Sequence, residues 1–315
     1  MSRVVVFDEP GPPEVLRVVE REPTAPAAGE VRVRLEAIGV NRLDQLIRSG
    51  HAPRPIRFPG ARIGIEGSGV IDAVGPDVTA FRIGDAVIIA AVPDMDANGT
   101  YAEHVTLPAS RVFARPSKLR PTDAAGIWVP YSTAYGALVE KAKLQPGQSV
   151  LITAASSAVG LAAIQLANYI GAVPIAVTRH AAKKAALEKA GAAQVLTTDE
   201  RHGRPVDVIL DCVMGPGLAE LTQSLRPGGT LVAAGWMDPR PPTFPMGAIT
   251  IHRYMSFEHT LDPTVVARMA AFLGAALRHG ALRPTIEREF SLGEVVAAHR
   301  FLDEGHQLGK IVMTV

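Results

Sequence analysis

Short apolar runs separated by turn residues fill the first 120 or so positions. Residues 4–7, 15–19 and 31–37 alternate or run apolar between turn formers and predict strands; 64–74 and 85–91 continue the pattern. The Pro-rich joints 10–13 and 53–59 read as loops. One helix is expected over 41–49, where Leu43, Leu46 and Ile47 form an apolar stripe. From residue 149 the pattern changes. Strands are expected at 149–154, 173–178, 194–197, 206–212, 229–235 and 250–257. Between them come helices at 158–170, stopped by Gly171, at 181–190, stopped by Gly191, and at 217–225, with a long one at 263–279. Such alternation implies right-handed βαβ units and a parallel sheet covered on both faces, so the fold class is α/β. The tail, 284–315, reads strand, helix, strand. It has too little apolar surface to stand alone and is expected to pack back onto the first domain.

Composition mainly excludes. A chain of 315 residues suggests about two domains. Lys+Arg 32 against Asp+Glu 31 gives a net charge of +1 with no block of like charge, which argues against a nucleic-acid partner. The N-terminal run is broken by Asp8 and Glu9 and does not read as a signal peptide. No apolar stretch approaches the roughly 18 residues of a membrane span. A cytoplasmic protein without a membrane partner is the expectation. Cys212 is the only cysteine, so neither an internal disulfide nor a multi-cysteine zinc site can form.

Two places carry chemistry. Between the expected strand at 149–154 and its helix, Ala155, Ser156, Ser157, Ala158, Val159 and Gly160 make a small-residue turn. In a dinucleotide fold such a turn brings backbone close to a pyrophosphate at the helix N-terminus. Ala155, Ser157 and Gly160 hold the three glycine positions of that fingerprint, so the string is degenerate, and a ligand-free strand–helix turn is the alternative. After the next strand an NAD enzyme usually carries a carboxylate for the ribose 2′-hydroxyl. This chain has Thr178, Arg179 and His180, then Lys183 and Lys184. Arg179, with Thr178 and Lys183, suits a 2′-phosphate, hence NADPH.

The chain resembles the medium-chain dehydrogenase/reductases, specifically their zinc-free quinone oxidoreductase and enoyl reductase branch. The resemblance rests on EAIGVNRLDQLIRSG (36–50), GIEGSGVIDAVG (64–75), FRIGDAV (81–87), GTYAEHVTLPA (99–109), YSTAYGAL (131–138), AASSAVGLAAIQLA (154–167), RPGGTLVAAG (226–235) and GKIVMTV (309–315), in order and at matching spacing. It implies a GroES-like β-rich domain from 1–120 and 283–315, with a doubly wound Rossmann domain at 121–282 that binds NADPH. It also implies an active site in the cleft between them and a homodimer joined by the last strand of the Rossmann sheet. Cys212, Gly235 and Lys310 join the cofactor-binding residues on this basis. A helix usual before the fourth Rossmann strand looks trimmed between Thr198 and Val206.

The departures from the family are informative. Zinc-bearing relatives place a Cys near Asn41 and a His where this chain has Ile65, so no metal site is expected and Glu66 reads as a structural remnant. Without a Lewis acid, simple alcohol oxidation is disfavoured. Hydride transfer to a quinone or another α,β-unsaturated carbonyl remains, with donors needed for the charge that grows on oxygen. The family's tyrosine donors are replaced by Leu46 and Ala52. Asn41, His51, Tyr131 and Thr133 are the candidate catalytic residues. Asn41 reads equally well as the N-cap of helix 41–49, and Asp44 as a group bonded within the start of that helix. Water is the alternative proton source. Trp236, Met237, Tyr254 and Phe257 either line an apolar substrate site or pack in the core or a dimer interface. Cys212 reads as a buried, inert thiol. An enoyl-thioester or natural-product tailoring reductase is the alternative enzyme, and a non-catalytic, redox-responsive NADPH-binding protein the alternative of another class.

Overall fold

The computed structural model describes residues 1–90, 92, 94–200 and 205–315. In chain order its strands are β1 (Ser2–Val6), β2 (Arg17–Arg21), β3 (Glu30–Val40), β4 (Gly67–Val74), β5 (Ala86–Ile89), β6 (His104–Pro108), β7 (Val112–Ala114), β8 (Ser149–Ile152), β9 (Val173–Thr178), β10 (Gln194–Thr197), β11 (Val206–Asp211), β12 (Leu225–Ala233), β13 (Thr250–Arg253), β14 (Ile286–Ser291) and β15 (Lys310–Thr314). They belong to two compact units, Met1–Val129 with Thr285–Val315, and Pro130–Pro284.

The first unit is organised by β3. It runs for 11 residues because it serves three partners. β4 pairs antiparallel along one edge; the other edge takes β6 over 30–34 and β15 over 37–40. Val31, Val33 and Leu35 alternate inward, as the sequence predicts for a half-buried strand, whereas Ala37, Ile38, Gly39 and Val40 are buried without a break. The register then sets chemistry. Ile311 opposite Val40 brings Lys310 opposite Asn41, and Ile38 opposite Gly67 brings Glu66 opposite Gly39. The chain leaves β3 through Asn41 straight into the helix Arg42–Arg48. β1 and β2 form a separate antiparallel pair.

The second unit is a six-stranded sheet in the order β10-β9-β8-β11-β12-β13, every pairing parallel. This is the doubly wound arrangement, with the chain reversing direction across the sheet between β8 and β11, where open α/β sheets bind their ligands. The helix Ala158–Ile170 follows β8 with the expected bounds. Its core face of Leu161, Ile164 and Leu166 is buried, and Gly171 ends it at φ 89°, a left-handed conformation glycine adopts without a Cβ penalty.

Several elements differ from the sequence pattern. Pro13–Val15 turns as a 3₁₀ helix, so β2 starts later than expected. Gly64 sits at φ 101°, outside any strand, and β4 starts only at Gly67. The helix expected at 181–190 opens as a 3₁₀ turn, and that at 217–225 closes as one. The sixth parallel strand stops at Arg253, because Phe257 already lies in a short helix. β6, β7, the helix Trp128–Tyr135 and the π-helical Gly136–Lys141 go beyond the sequence reading. Ala91, the end of one expected strand, and residues 201–204 of the trimmed segment lie outside the described residues.

The long helix Pro263–Arg278 is capped by Asp262, whose carboxylate accepts from the N–H groups of Thr264 (2.8 Å) and Val265 (3.4 Å). Asp262→Ala should therefore destabilise the protein by about 1 kcal/mol, the usual cost of a lost N-cap. Urea unfolding measures this, and an unchanged midpoint would contradict it.

Candidate functional site

In the first unit a buried polar cluster forms where β3, β4 and β15 meet. Lys310 Nζ donates to Asn41 Oδ1 at 2.6 Å and forms a close ion pair with Glu66 Oε1. Both side chains of the pair are almost wholly buried. Glu66 Oε2 accepts the backbone N–H of Val129 at 2.8 Å. Gly39 makes this arrangement possible. A Cβ there would stand 2.6 Å from Glu66 Oε1 and 2.3 Å from the carbonyl of Ala125, so any side chain would displace the carboxylate. Asn41 Nδ2 donates to the carbonyl of Gly39 at 3.2 Å.

Asn41 is also the N-cap residue of the helix Arg42–Arg48 and forms a capping box with Asp44, whose Oδ2 accepts the Asn41 N–H at 2.8 Å. The N-cap reading of Asn41 is the one seen here. Asp44 is fully buried; Tyr101 donates its hydroxyl to Oδ2 at 3.1 Å, and Oδ1 has no partner among the described residues. Burial pushes the Asp44 carboxyl up to about 7. His299 Nε2 reaches the Tyr101 hydroxyl at 3.2 Å, and Arg48 meets His299 Nδ1 at 3.3 Å and Asp303 at 2.9 Å. Arginine can only donate, so His299 Nδ1 accepts and Nε2 carries the proton. Burial pushes His299 down to about 3, which keeps it neutral.

His51 is exposed and its Nδ1 faces Ser49 Oγ at 3.1 Å. It follows the C-terminal end of the helix that Asn41 begins, about 10 Å along the axis at 1.5 Å per residue, and so does not join the Asn41 cluster.

In the second unit the turn after β8 has the build of a nucleotide site. Ala154 takes φ 46°, rare for a residue with a Cβ, and turns the chain into the helix. Ser157 caps that helix by accepting from Gly160 N at 3.1 Å. A Cβ on Gly160 would stand 2.6 Å from the Ala155 backbone, so only glycine lets helix and strand approach this closely. Lys183 donates to Ser156 Oγ at 3.2 Å, bringing a cation to the turn. Thr178 is buried at the end of β9, while Arg179 beyond it is exposed and forms no ion pair among the described residues. Cys212 and Gly235 also meet. A Cβ on Gly235 would come within 2.3 Å of the Cys212 carbonyl, so glycine brings the segments after β11 and β12 together. Burial pushes the Cys212 thiol up to about 12, which makes it inert. The cradle, its hydroxyls and its cations fit a phosphorylated dinucleotide.

Sequence reasoning did not single out Thr153 and Asp211. Thr153 donates to Asp211 Oδ1 at 2.6 Å and accepts from Cys212 N at 2.9 Å. Asp211 in turn accepts from the N–H groups of Val213 and Met214, which shapes the turn after β11. Tyr131 donates to Gln165 Oε1 at 2.9 Å and is buried, which pushes its hydroxyl well above the usual range. That hydroxyl anchors Gln165, which also bonds both backbone groups of Arg283. Thr133 is buried in the same helix as Tyr131, Trp128–Tyr135. Tyr254 is core: its ring is fully buried, its hydroxyl is 3.3 Å from His259 Nδ1, and it presses on Gly136. Trp236 stacks under Arg253 at 4.6 Å, Met237 is exposed and Phe257 is half-buried. Among the described residues no group of three or more His, Cys, Asp or Glu could hold a metal ion.

Comparison with known proteins settles the family. The alcohol dehydrogenase GroES-like domain matches residues 27–117, and the family described as zinc-binding dehydrogenase matches 182–313. A quinone oxidoreductase of Lama guanicoe is 30% identical over 328 residues, covering 99% of this chain and 97% of that protein. The chain belongs to the quinone oxidoreductase branch of the medium-chain dehydrogenase/reductase superfamily. The branch is one of oxidoreductases, and its architecture, a GroES-like domain plus a Rossmann sheet, is the one described here. The crystal structure of the Pseudomonas syringae quinone oxidoreductase is 27% identical and matches with a TM-score of 0.91 over 100% of both chains. That of the Escherichia coli quinone oxidoreductase complexed with NADPH is 25% identical, again with a TM-score of 0.91 over 100% of both.

Asp44 generates a testable pH dependence. Its native value of about 7 lies above the unfolded 3.8, so between those values the folded protein holds a proton that the unfolded chain has released. Stability from this group falls as pH rises across that window and levels off above it. Asp44→Asn should flatten the fall relative to wild type, measured by urea unfolding at pH 5 and pH 8. The same slope in both proteins would refute this.

Proposed function

We propose that this protein is a zinc-independent, NADPH-dependent reductase that delivers hydride to a quinone or another α,β-unsaturated carbonyl. The observation that carries the reading is the Asn41 amide, held at the end of β3 by the buried Glu66–Lys310 pair. The donor set does not fit zinc. Asn41 and Ile65 stand where zinc-bearing relatives place Cys and His, and Glu66 is already paired with Lys310. The family resemblance to zinc-binding dehydrogenases is therefore one of fold at this position.

Ser156, Ser157 and Gly160 would hold the pyrophosphate on the turn after β8. Arg179, Thr178 and Lys183 would meet the 2′-phosphate, in keeping with the NADPH complex of the E. coli relative. When bound, NADPH supplies a hydride for an electrophilic carbon of the acceptor. The protein's part is to place donors where charge grows on the carbonyl oxygen. Asn41 supplies one. Thr133 and the exposed His51 are further candidates, whereas the Tyr131 proton is already engaged by Gln165. A quinone needs its protons on oxygen, where His51 or water can deliver them, so the loss of the family tyrosines at Leu46 and Ala52 favours quinones over enoyl thioesters. The reading includes a homodimer through β13, which forms the end of the parallel sheet. It also includes a cytoplasmic setting; among the described residues no helix is long and apolar enough to cross a membrane.

NADPH consumption with a panel of small quinones, enones and enoyl thioesters tests this reading, with quinones expected to be the fastest acceptors. Binding without turnover across the panel would mark a non-catalytic NADPH-binding protein instead. Arg179→Asp should weaken NADPH binding by about 1.5–3 kcal/mol, the range for hydrogen bonds to charged groups, and leave NADH binding nearly unchanged. Isothermal titration with both cofactors measures this. Equal affinity of the wild type for the two would overturn the phosphate assignment.

A further inference from the structure

We propose that Lys310 is a positioning residue that locks the Asn41 amide as a hydrogen-bond donor to the substrate's carbonyl oxygen, an assignment that rests on the reductase reading above. A side-chain amide can be placed in two orientations, and only its neighbours decide which is right. Here both neighbours are unambiguous. The Lys310 ammonium can only donate, so the atom facing it is Oδ1. The Gly39 carbonyl can only accept, so the atom facing it is Nδ2. The reverse orientation would set donor against donor and acceptor against acceptor in a buried place, each costing an unmade hydrogen bond.

Lys310 is itself fixed. Glu66 neutralises it, and the second oxygen of Glu66 is held by the Val129 N–H, so the carboxylate cannot swing toward Asn41. The pairing of β15 with β3 brings the ammonium there, and the bare Gly39 leaves room for the Glu66 carboxylate that meets it. Nδ2 has two N–H bonds. One goes to Gly39, and the second has no protein partner among the described residues. Asn41 keeps 8% of its surface, and the assignment places the substrate oxygen at that second N–H. The amide can thus offer a proton and not a lone pair. It suits a carbonyl oxygen gaining negative charge and disfavours a hydroxyl or amine donor in the same place. The ammonium on Oδ1 also draws electron density from the amide and strengthens its N–H as a donor.

The test uses the full chain with NADPH and 1,4-benzoquinone, comparing wild type, Asn41→Ala, Glu66→Gln/Lys310→Met, and the triple variant. Glu66→Gln keeps an acceptor for Val129 and leaves no unpaired buried carboxylate. Circular dichroism and the NADPH dissociation constant accompany each variant. Asn41→Ala should lower kcat about a hundredfold, the low end for losing one donor to a developing oxyanion. Glu66→Gln/Lys310→Met should lower kcat about tenfold or more with NADPH affinity unchanged, and the triple variant should be no slower than Asn41→Ala, because Lys310 acts through Asn41. A pair variant with wild-type kcat, losses that multiply in the triple variant, or a loss of NADPH affinity with kcat unchanged would each overturn the role given to Lys310. A wild type that consumes no NADPH with any quinone or enone overturns the reductase reading itself.

Discussion

An ammonium and a carboxylate buried together are costly to desolvate, and removing one partner of such a pair typically costs about 3–5 kcal/mol. The Glu66–Lys310 pair meets that cost with further bonds, from Val129 to Glu66 and from Lys310 to Asn41. Around it, much of the first unit falls into place. β3 must be long enough to carry β15 at its end, Gly39 must lack a side chain, and the last strand of the chain must return to the first domain in one register. A slip of β15 by one residue would turn Lys310 to the other face of the sheet and leave Glu66 unpaired. The pair fixes the register and the Asn41 amide together.

The second unit solves a different problem, bringing backbone segments close together with few glycines. Gly160 and Gly235 stand where a Cβ would strike neighbouring backbone within 2.6 Å and 2.3 Å. Elsewhere the turn makes do with alanine and serine. Ala154 accepts a left-handed φ, and Ser157 gains a cap that glycine could not supply. Behind the turn, Thr153 and Asp211 tie the ends of β8 and β11 together, at the reversal where the doubly wound sheet opens. The same two side chains also accept backbone N–H groups from Cys212, Val213 and Met214.

Local signals in the chain were easy to read, and non-local ones were not. The helix Ala158–Ile170 and the strands Val173–Thr178 and Gln194–Thr197 follow from apolar pattern and from Gly171 and Gly191. Asn41 is legible as a helix cap, because that role depends on its immediate surroundings. Nothing local reveals that Lys310, a cofactor residue by resemblance, pairs with residues far away in sequence; only the strand register brings it to Asn41 and Glu66. Glu66 reads as structural from the loss of the zinc ligands, but its partner Lys310 is visible only in the fold. Thr153, just after β8, and Asp211, at the end of β11, sit in apolar stretches and give no signal until their bond to each other is visible. The helix Trp128–Tyr135 escaped because its apolar residues circle it and leave no stripe.

The proposed role of Lys310 depends on which atom of the Asn41 amide meets the substrate. A crystal structure of the protein with NADPH and a slowly reacting quinone is the most direct measurement. It should show Asn41 Nδ2 within about 3 Å of a quinone oxygen, the usual N–H···O distance, with Lys310 still bonded to Oδ1 and to Glu66. A Lys310 turned away from Asn41 to contact the nucleotide, or a quinone bound with no oxygen near Asn41, would contradict it.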